Sequence, residues 1–295
     1  MTSSPTSGAR TETYPAAGQV KIDIEPGVGH IRVVATERSD IVIEVRPSDA
    51  GRRADLKAAE ATTIDEVEGA ITVRAPKDWR RFAPFGDTGS VDVTVSAPVG
   101  AEIRGRSEMG TIDVEGPVGD ASLRTGMGAI RVGEVGSLFA HTGYGEVSAR
   151  QVGGDADVST GSGEIRVGQI SGAAGIKNSN GRIEVTAVGG DLNARTANGD
   201  VVIGKAGASV SAKTANGNVR VHSVGAGAAE LETSVGEIEI GIKDGTRAWL
   251  DLSTRFGHVR NMLGTTDGPG EGPTVEVRAR TSAGDIVVRR AQGDD

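Results

Sequence analysis

The stretches RTANGDVVIG (residues 195–204) and KTANGNVRVH (residues 213–222) are near copies that follow one another closely in the chain. In each, a short polar phrase ending in Gly gives way to a run in which apolar residues alternate with others. Alternation with a period of two marks a strand buried on one face. The Gly marks a sharp corner, and the Asn beside it tolerates the left-handed backbone that such corners use. Equivalents of this marker Gly stand at Gly110, Gly128, Gly145, Gly163, Gly181, Gly199, Gly217, Gly236, Gly257 and Gly284. Their spacing is nearly constant from Gly110 to Gly236 and stretches over the last two intervals. A nearly fixed period of this kind is the signature of stacked repeats.

The columns around the marker say how the repeats stack. Two residues after it the chain carries only Ile or Val, from Ile112 to Ile286. Five before it stand Leu123, Ala140, Val158, Ile176, Ala194, Ala212, Leu231 and Leu252. Each repeat therefore reads strand, corner, strand. An antiparallel meander of Asn-Gly hairpins fits this pattern, and so does a parallel solenoid with coils about 4.8 Å apart. Two columns favour the solenoid. Position minus three is Thr in most repeats, and Asn180, Asn198 and Asn216 occupy position minus one in consecutive repeats, where like amides stacked on like can bond.

The expected fold is all-β: a single-domain parallel β-solenoid, a right-handed β-helix by the usual hand of parallel crossovers, with coils of about 18 residues. It would occupy residues 18–290, between a disordered tail at 1–17 and a C-terminal tail at 291–295. Residues 101–290 carry the regular coils, with a Gly/Pro-rich loop at 264–273. Residues 18–100 are an irregular version, in which VKIDIEPGVGHIRVV (20–34) matches around Gly29 and IDEVEGAITV (64–73) around Gly69. IVIEV (41–45) and VDVTV (91–95) add strands, residues 48–62 read as a partly helical excursion, and residues 76–89 read as a loop.

Composition agrees with thin, repetitive layers: 45 Gly, eight aromatics and 37% hydrophobic residues in a chain of 295. A net charge of −8 argues against nucleic-acid binding, and zero Cys excludes disulfides and thiol chemistry. No stretch reads as a membrane span or as a secretory h-region, so a cytoplasmic location is expected.

The T-x-x-G-x-I-x-V phrase, recurring once in each coil, resembles the bacterial β-strand-repeat proteins of unknown function known as "putative adhesins". The resemblance spans about residues 18–290. It implies a β-solenoid and an adhesin-like role, and it brings no catalytic residues.

Chemistry is sparse. GMG (126–128), GYG (143–145) and GSG (161–163) lack the third Gly of a nucleotide loop and sit at corners. The four His are scattered without ligand spacing, and Asp120, Asp155 and Asp191 read as turn formers, so no cofactor or metal is expected. Glu146, Glu164, Asp200, Glu237 and Asp285 fall in an outward column rather than a converging pair. A carbohydrate-active enzyme is the weaker alternative. The expected function is non-catalytic: a solenoid displaying a surface to a protein or anionic partner, or a scaffold that associates with itself through terminal coils. Two candidate surfaces stand out. The segment DWRRFAPF (78–85) gathers Trp79, Arg80, Arg81, Phe82 and Phe85, residue types typical of binding hot spots, although a lid over the solenoid would use the same rings. The column four before the marker reads Arg106, Arg124, His141, Ser159, Lys177, Arg195 and Lys213, a basic stripe on a stacked sheet unless neighbouring acids such as Asp157 and Glu230 offset it.

Overall fold

The computed structural model describes residues 8–16, 18–67, 69–75, 89–264 and 272–291, and the chain divides into two compact units, Met1–Ala149 and Arg150–Asp295. The first unit contains β1 (Arg10–Pro15), β2 (Lys21–Val28), β3 (Ile31–Thr36), β4 (Asp40–Pro47), helix α1 (Arg53–Ala61), β5 (Thr63–Val67), β6 (Ala70–Arg74), β7 (Val91–Pro98), β8 (Glu102–Met109), β9 (Ile112–Val118), β10 (Ala121–Met127), β11 (Ile130–Val135) and β12 (Leu138–Tyr144). One of its sheets runs β1-β4-β7-β3-β9-β11 and the other β12-β10-β8-β2-β6-β5. β13 (Val147–Val152) carries the chain into the second unit.

The second unit contains β14 (Ala156–Ser162), β15 (Ile165–Ile170), β16 (Ala174–Asn180), β17 (Ile183–Val188), β18 (Leu192–Arg195), β19 (Val201–Ala206), β20 (Val210–Asn216), β21 (Val219–Val224), β22 (Gly227–Val235), β23 (Ile238–Ile242), β24 (Arg247–Phe256), β25 (Val259–Asn261), β26 (Thr274–Ala283) and β27 (Ile286–Arg290). Its sheets run β15-β17-β19-β21-β23-β27-β25 and β14-β16-β18-β20-β22-β26-β24.

In the repeats, each marker Gly joins a strand of one sheet to a strand of the other, and equivalent strands pair in parallel. Val201 lies opposite Val219, and Ala194 opposite Ala212. The parallel stack is therefore what the columns encode. The inward columns two after and five before the marker meet between the sheets, where Ile165, Ile183, Val219, Ile176 and Leu231 are buried. Each such Ile or Leu contributes about 1.5–3 kcal/mol by leaving water.

The T-x-x-G phrase has a direct physical reading. At Gly217 the backbone has φ +148°, and a Cβ there would lie 2.2 Å from the Gly199 carbonyl oxygen of the preceding coil. Only Gly fits both constraints. The coils approach closely because that carbonyl is taken by the Thr three before the next marker: Thr214 Oγ1 donates to it at 3.0 Å. Thr125, Thr142, Thr233 and Thr281 do the same to Gly110, Gly128, Gly217 and Gly236, at 2.9–3.1 Å. Asn178 substitutes its amide at 2.8 Å. The Asn ladder also forms, with Asn198 Nδ2 donating to Asn180 Oδ1 at 2.9 Å and Asn216 Nδ2 to Asn198 Oδ1 at 3.0 Å.

Three expectations change. Residues 10–15 of the expected disordered tail form β1, which pairs antiparallel with β4, and Arg10 donates to the Thr62 carbonyl at 2.7 Å. A polar segment is held there by ladder bonds that its side-chain pattern does not announce. Gly69 is not a coil corner. It lies between β5 and β6, which pair antiparallel as a hairpin. The coils, finally, do not all stack in chain order. The first coil, β2–β3, lies between β6–β7 and β8–β9, and the last, β26–β27, lies between β22–β23 and β24–β25. The excursion at 48–62 does contain α1, whose buried Asp55 accepts from the backbone N–H of Asp49 and of Ser90, both at 3.1 Å.

Candidate functional site

The segment holding Trp79, Arg80, Arg81, Phe82 and Phe85 lies outside the described residues. The basic column does not. Its members alternate with inward residues along the strands, so the pleat projects them from the sheet. In the first unit Arg124 lies opposite both Arg106 and His141 in register. In the second, Ser159, Lys177, Arg195 and Lys213 follow one another across β14, β16, β18 and β20.

Like charges spaced at one strand repel, and most of these are offset locally. Arg106 meets Glu25 at 3.4 Å. Arg124 stacks its guanidinium 4.6 Å from the centre of the Phe139 ring, an exposed cation–π contact. Lys213 lies 2.8 Å from Glu230 and 3.2 Å from Glu232. The bond to Glu230 raises the Lys213 pKa against the lowering effect of burial, and Lys213 in turn holds the Glu230 carboxyl below its usual range. Arg195 donates to the Asn193 side chain at 3.1 Å, a neutral partner that leaves its charge uncompensated. Lys177 is exposed in the same column. Lys177 and Arg195 are thus two column cations adjacent in register with no carboxylate bond among the described residues.

Asp200 and Asp285 of the outward column serve as inter-coil ties, whereas Glu164 pairs with Arg166 two residues along the chain. Asp200 Oδ1 accepts the Asn218 N–H at 2.8 Å, and Asp285 Oδ1 accepts the His258 N–H at 2.9 Å. That backbone bond lowers the Asp285 pKa, with Arg260 adding to it. Asp120, Asp155 and Asp191 likewise accept the backbone N–H of Ser137, Ala173 and Ser209 at 2.8–3.1 Å. Among the described residues no group of three His, Asp or Glu is placed to hold a metal. Glu239 is clamped between Arg289 at 2.7 Å and Arg220 at 3.1 Å. Burial pushes its pKa up, but the two guanidinium groups prevail and hold it below the ordinary value.

Two exposed apolar features do not emerge from the column reading. In the first unit Met109, Met127 and Tyr144 lie side by side at position minus one, where the Asn ladder stands in the second. In the second unit the β24–β25 coil exposes Trp249, Phe256, Val259 and Met262. Each residue is ordinary in sequence. What exposes them is position at a corner or at the end of a stack.

Among the described residues, no helix is long and apolar enough to cross a membrane. No curated protein matches the chain in sequence. Solved structures that resemble it include a "putative adhesin" from Bacteroides fragilis NCTC 9343 (12% identity, TM-score 0.37, 96% of this chain and 98% of the other). Others are a "putative lipid binding protein" (12%, 0.35, 97% and 98%) from Parabacteroides distasonis ATCC 8503 and a "putative adhesin" (13%, 0.32, 96% and 96%) from Parabacteroides merdae ATCC 43184. The model of the Toastrack DUF4097 family, a domain of unknown function, matches residues 20–289, and the chain belongs to that family.

Proposed function

We propose that this protein is a non-catalytic binding module, its coils wound right-handed, that presents sheet faces to an acidic protein surface. Right-handed winding is the rule for parallel crossovers. The observation that carries the reading is the Lys177–Arg195 pair: two cations adjacent in register on β16 and β18, without a carboxylate partner among the bonds of the described residues. A rigid sheet holds them at one strand spacing, about 4.8 Å, so they meet a complementary anionic surface with little loss of backbone entropy. The other cations of the column are engaged with Glu25, Phe139 or Glu230 and serve the fold first.

The test is binding to poly-glutamate, as a model acidic surface, in rising salt. Wild type should bind, and binding should weaken as salt screens the contact. Reversing both Lys177 and Arg195 to Glu should abolish it while thermal stability stays within about 0.5 kcal/mol, because both positions are outward. Binding that survives the reversal refutes the assignment of this face.

A further inference from the structure

The two units differ in how their outermost strands are finished. In the first unit the outer strands, β1 and β5, run antiparallel to their neighbours. β1 carries a Glu12–Arg10 pair at 3.2 Å and ends in Pro15, while β5 exposes Asp65 and Glu66. Charges, Pro and reversed strands are the means by which proteins blunt a sheet edge. The second unit has charges on β24, at Arg247, Asp251 and Arg255, but neither a reversed strand nor a Pro at β24 and β25. These end both of its sheets in a single coil, parallel to β26 and β27, with no further strand beyond them among the described residues. Their core positions are uncovered on that side. Val259 is 44% exposed, whereas Ile286, the equivalent residue one coil inward, is 0% exposed. Leu250 and Leu252 are partly exposed, while Val277 and Ala279 beneath them are fully buried.

The edge also shows which backbone groups are open. The Arg247 N–H donates to the Pro273 carbonyl at 2.9 Å, so residues of its parity point at β26. By strand alternation Ala248, Leu250, Leu252 and Thr254 turn their N–H and C=O outward.

We propose that this coil seats a second copy of the chain, in a two-fold dimer with β24 antiparallel to its symmetry mate. The occupant follows from the charge pattern of Asp251-Leu-Ser-Thr-Arg255, which complements itself when the strand is reversed about Ser253. In that register Asp251, whose Oδ2 is already met by Arg278 at 3.2 Å and Arg280 at 3.3 Å in its own chain, faces Arg255 of the other copy, twice over, and Ser253 faces Ser253. Leu250 meets Phe256, and Trp249 covers Gly257. Registers centred on Leu252 or Asp251 instead lose the ion pairs or oppose Asp251 to itself. A two-fold contact closes on itself, which matches a chain whose other unit ends in blunted strands. This proposal is independent of the Lys177–Arg195 face and fails or succeeds separately.

The test uses the full chain. Sedimentation across a concentration series should show a monomer–dimer equilibrium. Arg255→Glu, at an exposed side chain, should weaken the dimer by at least about 10-fold, because the change acts at both symmetry-related contacts. Arg255→Lys should retain the dimer. The chain has no Cys, so Ser253→Cys provides a clean second measurement. In the proposed register these residues form a non-hydrogen-bonded pair about 4.5 Å apart at Cα, within disulfide reach, whereas Arg247→Cys lies far from its mate. Mild oxidation should cross-link the first variant and not the second. A monomer at all concentrations, a dimer indifferent to Arg255→Glu, or equal cross-linking of the two Cys variants would overturn the proposal.

Discussion

Replacing Thr214 by Val changes one hydroxyl for one methyl, and its effect separates two explanations of the Thr column. If Thr recurs because branched residues suit strands, Val is as good or better. The structure gives a different reason. Thr214 is buried, and its hydroxyl is the hydrogen-bond donor to the Gly199 carbonyl among the described residues. Val would leave that carbonyl unsatisfied at a corner where the next coil passes within van der Waals reach, at a cost of about 1–3 kcal/mol. Thr214→Ser keeps the donor and loses a methyl, about 0.8 kcal/mol. The predicted order of stability is wild type, then Ser, then Val, although Val is the more apolar residue. Urea unfolding followed by circular dichroism gives the midpoints, compared at a common slope. Repeat arrays can open in parts, so hydrogen exchange at the Val219 amide, which donates to Glu237 at 2.9 Å, should locate the loss in this coil. A Val variant as stable as the Ser variant, or more so, would refute the role assigned to the hydroxyl.

Ile165→Asp places a carboxylate in the core opposite Ile183 and should cost on the order of 3–5 kcal/mol, while Glu164→Ala, losing an outward pairing with Arg166, should stay within about 0.5; equal losses in thermal melts would refute the inward–outward register. Glu239→Gln should destabilise at neutral pH, because the depressed pKa of Glu239 means its charged form is favoured by folding. That stability is present above the unfolded carboxyl pKa and is lost as pH falls through the folded one, so melting curves of variant and wild type should converge as pH falls below the ordinary carboxyl range.

The period of the marker Gly, the alternation around it and the Thr and Asn columns were enough to read a parallel stack, because each is a constraint repeated at every level. A side chain's face follows from parity alone. Which coil lies on which does not. The near-constant spacing from Gly110 to Gly236 leaves room only for the adjacent level, whereas the long interval around 264–273 lets β26–β27 slip between coils that precede it in the chain. The same holds for β2–β3, separated from β8 by the excursion containing α1. β1 was not legible because RTETYP has no apolar alternation and is held by backbone bonds. The basic column was legible as a column, but not its division into engaged and free cations. Glu25 and Phe139 reach Arg106 and Arg124 from neighbouring strands whose register only the fold supplies.

The placement of β26–β27 also bears on how the second unit assembles as it is synthesised. Within the regular coils a strand waits only for the coil that follows it, as Val201 does for Val219. Ile238 waits for Ile286, with the whole of β24–β25 made in between. The longer closure costs only about 0.9 kcal/mol more in chain entropy. The greater obstacle is competition. β24–β25 leaves the ribosome first, carries the same inward pattern, and can dock on β22–β23 in the place reserved for the final coil. Wherever that early pairing forms, it must open before β26–β27 can enter between the two coils, and that route to the native order is an exchange of strands rather than an addition.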